Sequence, residues 1–197
     1  MLEVELKVFA GEDVKGTLSR IKALGWEAAG VSQQSDTYYT SKHKDFIASE
    51  ECLRIRVSET RSELTWKPPT SDAMRKARQY WKEEVDLDLE GQVDLMRTLL
   101  SRLEFDEYVT VEKHRTIFRV DDQSMVCVDH IAGLGWFVEV ETFAETPEGA
   151  IERNIALLKD LKLDDAKRIN MPYRDLVKAA EDGGGMSVLA GANESTR

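Results

Sequence analysis

The sequence predicts an α+β domain of roughly eight strands and three or four helices, with the strands in an antiparallel sheet. Three observations carry this. Apolar and polar residues alternate with period two in one stretch after another. Other stretches repeat apolar residues at helical spacing. Late in the chain, three alternating stretches follow one another through turns too short for a crossover.

Leu2, Val4, Leu6 and Val8 alternate with Glu3, Glu5 and Lys7, which predicts a strand from Met1 to Phe9. Val14, Leu18, Ile21 and Leu24 then form a helical stripe that Gly25 ends. Ser32 to Thr40 reads as a strand and His43 to Glu51 as a loop. Leu53, Ile55 and Val57 alternate with Arg54, Arg56 and Ser58 in the next strand. Glu63 to Lys67 is another, stopped by Pro68 and Pro69. Ser71 to Ala77 reads as loop, and Gln79 to Leu89 as a strand with Val85, Leu87 and Leu89 opposite Glu84, Asp86 and Asp88.

Val93, Met96, Leu99, Leu100 and Leu103 predict a second helix. Tyr108 to Val120, Ser124 to Ile131 and Trp136 to Phe143 make a meander. Thr146 and Pro147 open a third helix as N-cap and first-turn residue, with the stripe Ile151, Ile155, Leu158 and Leu161. A short helix with Leu176 and Val177 follows Pro172. Residues 1–180 read as one domain, and 181–197, with three consecutive glycines and small polar residues, as a disordered tail.

The net charge of −10 over 197 residues argues against a basic nucleic-acid-binding face. It leaves room for a local basic pocket. Cys52 and Cys127 have no metal-type spacing and read as reduced core residues. No apolar stretch approaches the ~18 residues of a membrane span, and the first residues lack the apolar centre of a signal peptide. A cytoplasmic protein without a membrane or nucleic-acid partner is the expectation.

Charged side chains share faces: Glu3, Glu5 and Lys7; Arg54 and Arg56; Lys82 and Glu84; Lys113 and Arg115; Glu139 and Glu141. Two destinations are open to them. They can face water while the apolar sides meet in a core, as antiparallel sheets usually do. Alternatively the sheet rolls into a barrel, the apolar sides lie outward beneath the helices, and the charges line the bore. The helical stripes need a sheet face to cover. Same-sign pairs along one strand are unusual on an open surface. Arginine suits planar oxygen groups such as phosphate. A bore holding both signs fits a polyphosphate with hard divalent cations, Mg²⁺ or Mn²⁺, because carboxylates hold the cation and basic groups the phosphate.

At this point the motifs resemble the CYTH superfamily of triphosphate tunnel metalloenzymes, and within it the class IV adenylyl cyclases. Glu3-Val4-Glu5-Leu6-Lys7 resembles its ExExK signature. Gln34-Ser35-Asp36-Thr37-Tyr38-Tyr39, Leu53-Arg54-Ile55-Arg56, Leu64-Thr65-Trp66-Lys67-Pro68 and Val111-Glu112-Lys113-His114-Arg115 follow in the family's order. Val128-Asp129-His130-Ile131, then Gly133 to Glu141, and finally Arg168 with Tyr173-Arg174-Asp175-Leu176 complete the set. One departure is Tyr80, which stands where an acid would sit in the family's RxExE stretch. A second is Asn170-Met171-Pro172 before Tyr173.

The resemblance implies an eight-stranded antiparallel barrel with helices packed outside. It assigns Glu3, Glu5, Glu84, Asp129, Glu139 and Glu141 to metal. It assigns Lys7, Arg54, Arg56, Lys67, Lys82, Lys113, Arg115 and Arg168 to the triphosphate. Glu5, Glu141 and Lys113 are the implied catalytic groups, and a homodimer is implied. Asp36 is open between a catalytic and a structural hydrogen-bonding role. His43, His114 and His130 form no ligand set, Trp66, Trp81, Trp136 and Phe137 read as packing, and Lys42 and Lys44 as solvated loop.

The expected reaction is cyclisation of ATP to cyclic AMP and pyrophosphate. The alternative is hydrolysis of tripolyphosphate, thiamine triphosphate or a nucleoside triphosphate. A third possibility, a non-catalytic phosphate binder, would not need both the acidic and the basic set.

Overall fold

A computed structural model describes residues 2–184 of the chain. Eight strands form one antiparallel sheet: β1 (Leu2–Gly11), β2 (Glu27–Ser41), β3 (Cys52–Ser58), β4 (Ser62–Lys67), β5 (Val85–Asp88), β6 (Phe105–Arg119), β7 (Ser124–Ile131) and β8 (Gly135–Ala144). Their order is β1-β8-β7-β6-β2-β3-β4-β5. Five helices accompany them: α1 (Lys15–Ala23), α2 (Asp72–Ala77), α3 (Val93–Arg102), α4 (Pro147–Asp160) and α5 (Tyr173–Ala179). The expected α+β architecture is present.

The apolar sides of the strands lie outward under the helices. Leu6 and Val8 of β1, Val126 and Val128 of β7, and Val138 and Val140 of β8 pack against Val14 and Ile21 near α1 and Leu157 and Leu158 of α4. Burying each such side chain contributes about 1.5–3 kcal/mol. A second cluster places Leu100 of α3 on Tyr39, Leu53 and Ile55. The third fills one end of the bore: α5 lays Tyr173 and Leu176 against Val111, Ile131 and Phe137. Gly135 is required at the β7–β8 turn. Its φ is +95°, and a Cβ there would stand 3.0 Å from the Gly11 carbonyl oxygen.

The barrel is rolled but not closed strand to strand, because β1 and β5 end the sheet. The seam is made by two loop segments on the outer edge of β1. Tyr80 exchanges both backbone hydrogen bonds with Glu5, at 2.8 and 3.0 Å. Further along, the Ile169 amide donates to the Lys7 carbonyl at 2.9 Å and the Phe9 amide to the Lys167 carbonyl at 2.8 Å. These bonds satisfy edge groups that would otherwise be open.

Four local expectations change. Residues 71–77 are not all loop: Asp72–Ala77 is helical, and the Ser71 hydroxyl caps it by accepting from the Met74 amide at 3.3 Å. The expected strand from Gln79 shrinks to Val85–Asp88, because residues 79–84 leave β4 to reach β1. In α3, Leu99 and Leu103 are exposed, and the packed stripe is Val93, Met96 and Leu100. In α4, the expected Leu158 and Leu161 are buried and Ile155 packs half-buried on the same core, while Ala150, Asn154 and Leu157 widen the hidden face. Thr146 is the α4 N-cap residue and Pro147 opens the helix, but the threonine side chain makes no cap bond. Of the expected tail, residues 181–184 follow α5 in a turn whose backbone leaves the helical region at Gly183, φ +100°, and residues 185–197 lie outside the described residues.

Candidate functional site

Register decides which side chains meet. Glu5 lies opposite Glu141 and Lys7 opposite Glu139. Asp36 lies opposite Arg56, Gln34 opposite Lys113, and Arg115 opposite Asp129. Opposed residues share a face, so these strands project their charges into one interior. The cavity there measures ≈ 250 Å³. Bulk solvent is not their destination: Lys7 is 9% exposed, Lys113 3%, and Glu139 and Glu141 6% each.

Twelve of the fourteen expected site residues line this cavity. On the acidic side they are Glu3, Glu5, Glu84, Glu139 and Glu141. On the basic side they are Lys7, Arg54, Arg56, Lys67, Lys82, Lys113 and Arg115. Asp129 and Arg168 are not on its surface. Asp129 is wholly buried behind Arg115, which clamps both its oxygens at 2.8 and 2.6 Å, while the Tyr173 hydroxyl donates to it at 3.0 Å. A carboxylate so engaged orients the guanidinium. Arg168 has its backbone in the seam opposite Val8. The terminal arginine that does reach the cavity is Arg174, 3% exposed and donating to the Glu51 carbonyl. Its position beside Tyr173 in the terminal motif was the available signal. The motif fixed the segment but not which side chain turned inward.

The basic wall is organised from beneath by Asp36, which has no exposure. Arg56 grips it with two hydrogen bonds at 2.6 and 2.8 Å, and Lys113 and Arg54 approach to 3.3 and 3.6 Å. Burial pushes the Asp36 carboxyl up, but Lys113, Arg56 and Arg54 together outweigh it and hold the group far below the carboxylate range. Asp36 is therefore a structural counter-charge, one of the two roles left open by the sequence. Lys113 itself is lowered to about 8, by burial first and by Arg56 and Arg115 against the pull of Asp36. Lys7 stands 4.0 Å above the centre of the Tyr173 ring, a cation–π contact that fixes its ammonium. Arg54 keeps a buried Nε with no hydrogen-bond partner among the described residues.

The acidic wall is under-compensated. Glu3 is raised to about 8 by burial and then by Glu141, Glu5 and Glu84, with Lys67 opposing. Glu141 is raised to about 7, by burial and by Glu139 and Glu5, despite Arg115. Neither Glu3 nor Glu5 has an ion pair among the described residues.

The remaining expected residues fall as follows. His43 pairs with Glu104 on the surface, and His130 packs at a tilt against Trp136, ring centres 4.6 Å apart. Phe137 is fully buried, and Trp66 packs on the outer core. Lys44 pairs with Glu51 at 2.7 Å. Tyr80 donates its hydroxyl to the Asn170 carbonyl, which ties one seam segment to the other.

The donor set suits a hard divalent cation. Crowded carboxylates with raised pKa values lack exactly the positive charge such an ion brings. Among the described residues no three acidic, histidine or cysteine side chains form a ready cage.

Comparison with known proteins agrees with this geometry. Residues 1–173 match the CYTH domain. A candidate adenylate cyclase of Methanocaldococcus jannaschii is 29% identical over 179 residues, 89% of this chain and 98% of that one. A Pyrococcus horikoshii structure superposes with a TM-score of 0.77 at 28% identity, covering 89% of this chain and 97% of that one. A Hippeastrum structure, described as a candidate adenylyl cyclase with a dominant triphosphatase activity, gives 0.63 at 16% identity, covering 91% and 95%. No helix among the described residues is long and apolar enough to cross a membrane.

Proposed function

The chain belongs to the CYTH family, and from that premise we propose that it is a metal-dependent adenylyl cyclase converting ATP to cyclic AMP and pyrophosphate. The observation that carries a triphosphate substrate is the shared cavity, where Glu3, Glu5 and Glu141, with Glu3 and Glu141 raised by burial and by neighbouring carboxylates, line the same space as Lys7, Arg54, Arg56, Lys113 and Arg115. Uncharged lining supports a nucleotide over a bare polyphosphate. Tyr38, Cys52, Thr70, Tyr80, Asn170 and Pro172 line the cavity beside the charged groups and offer surface suited to a nucleoside.

In this reading Lys7, Arg54, Arg56, Lys67, Lys113 and Arg115 hold the triphosphate, with Asp36 and Asp129 fixing the guanidinium planes. Lys82 and Arg174 line the same cavity. From the set Glu3, Glu5, Glu84, Glu139 and Glu141, one or two carboxylates together with the substrate phosphates would hold Mg²⁺ or Mn²⁺, which would neutralise phosphate charge and acidify a hydroxyl. The ribose 3′-oxygen bonds to the α-phosphorus as the bond from that phosphorus to the α–β bridging oxygen breaks. The hydroxyl proton passes to a carboxylate of the cavity that does not hold the cation. Pyrophosphate leaves with its charge held by the basic wall, where Lys113 faces it.

Product identification tests this. ATP, thiamine triphosphate and tripolyphosphate are supplied separately with Mg²⁺ or Mn²⁺. Cyclic AMP and pyrophosphate without orthophosphate is the expected result. Orthophosphate release without cyclic AMP would make the protein a triphosphatase, and no turnover of any of them would leave a phosphate binder.

A further inference from the structure

We propose that Asn154, on the hidden face of α4, is a positioning residue that sets the spacing of the carboxylates on β1 and β8. Asn154 has no exposure and lies among Ala150, Leu157 and Leu158. An asparagine is a weak helix former, and its amide is costly to bury unless bonded. Here the bonding capacity is used. Nδ2 donates to the Val4 carbonyl at 2.8 Å and to Gln79 Oε1 at 3.0 Å, and Oδ1 accepts from the Thr142 hydroxyl at 2.8 Å.

Each partner adjoins the acidic wall. Val4 and Thr142 are register partners, and the next pair along the strands is Glu5 with Glu141. Val4 separates Glu3 from Glu5. Side chains alternate, so Val4 and Thr142 face α4 while the three glutamates face the cavity. Gln79, also without exposure, donates to the Ile151 carbonyl at 3.1 Å and precedes Tyr80, whose backbone is bonded to Glu5. One amide thus grips, from behind, the strand carrying Glu3 and Glu5, the strand carrying Glu141, and the seam at Glu5.

Glu5 and Glu141 are like charges directly opposed, an arrangement that pushes a strand pair apart. Apolar packing alone tolerates small slides. A saturated polar network does not, because any displacement leaves a buried group unpaired. The network therefore fixes the spacing of these carboxylates, as partners behind a metal ligand commonly do.

The inference rests on the metal reading of the preceding subsection. The test measures Mn²⁺ affinity of the metal-free protein by water-proton relaxation, and tripolyphosphate affinity without metal by calorimetry. Asn154→Leu and Thr142→Val are expected to weaken Mn²⁺ binding about tenfold or more, while tripolyphosphate affinity stays within about twofold. Thr142→Ser, which keeps the hydroxyl, is expected to bind Mn²⁺ as the wild type does. Leu158→Ala, a cavity in the same helix face, is expected to lower stability and leave Mn²⁺ affinity intact.

Wild-type Mn²⁺ affinity in folded Asn154→Leu would overturn the inference. If that variant does not fold, equal affinity in Thr142→Val and Thr142→Ser would overturn it. Parallel loss of Mn²⁺ and tripolyphosphate binding, or equal Mn²⁺ loss in Leu158→Ala, would show general loosening and overturn it as well. A wild-type protein that binds Mn²⁺ no better than Glu5→Gln would instead overturn the metal reading beneath it.

Discussion

Glu5 and Tyr80 exchange both of their backbone hydrogen bonds, and this single bridge joins an edge strand of the sheet to the segment that departs from β4. The residue that breaks the family's acidic pattern thus makes one of the two links of the seam. Its contribution is its main chain, and its hydroxyl is spent on Asn170.

Tyr80→Phe removes one hydrogen bond and is expected to cost about 1 kcal/mol, with turnover little changed. Tyr80→Pro deletes the amide that donates to Glu5. It is expected to cut turnover about tenfold or more, a barrier change of about 1.4 kcal/mol. Thermal denaturation and steady-state rates on the two variants check both expectations.

Asp129 and Glu141 are both acids of the family pattern, yet they should fail differently. Asp129→Asn leaves Arg115 without its two-pronged partner. It should raise the KM for the triphosphate about tenfold and destabilise the fold by about 1–3 kcal/mol. Mn²⁺ affinity should stay within about twofold, since Asp129 does not face the cavity. Glu141→Gln should instead weaken Mn²⁺ about tenfold or more. Metal titrations beside substrate kinetics separate the two.

The carboxylates also fix how stability depends on pH. Glu3 and Glu141 are raised in the folded protein to about 8 and about 7, above the unfolded value near ~4.3. The folded state therefore holds extra protons between those limits, and metal-free stability falls as pH rises from about 4.5 to 8. Asp36 is depressed, so its contribution is present above about 3.9 and is lost as pH falls below it. Metal-free melting temperature should peak in mild acid. Mn²⁺ at about 100 Kd adds about 2.7 kcal/mol, or about 5–10 °C, at pH 8 and much less at pH 5.5. Melts at the two values with and without Mn²⁺ check the sign.

Much of the site was legible because period two is rigid: once Glu3, Glu5 and Lys7 share a strand, they share a face. Which face was not decided by alternation, since a sheet open to water reads the same. The helices settled it by needing the apolar sides. The misread parts depend on partners distant in the chain. Asn154 interrupts no local pattern that would mark it as buried, because Val4, Gln79 and Thr142 reach it only through the fold. Residues 79–84 alternate like a strand but pair with β1 at Tyr80 alone. Ser71 followed by Asp72 was a readable cap that the flanking prolines and the brevity of α2 concealed.

The central claim is that a triphosphate and a divalent cation meet between the acidic and basic walls of one cavity. Mn²⁺-induced broadening of the ³¹P resonances of protein-bound tripolyphosphate tests it most directly. Strong broadening is expected in the wild type. It should be largely lost in Glu5→Gln, where the phosphate still binds, and binding itself should be lost in a paired Arg54→Leu and Arg56→Leu variant. Equal broadening in the wild type and Glu5→Gln, or unchanged phosphate binding without the two arginines, would contradict the account.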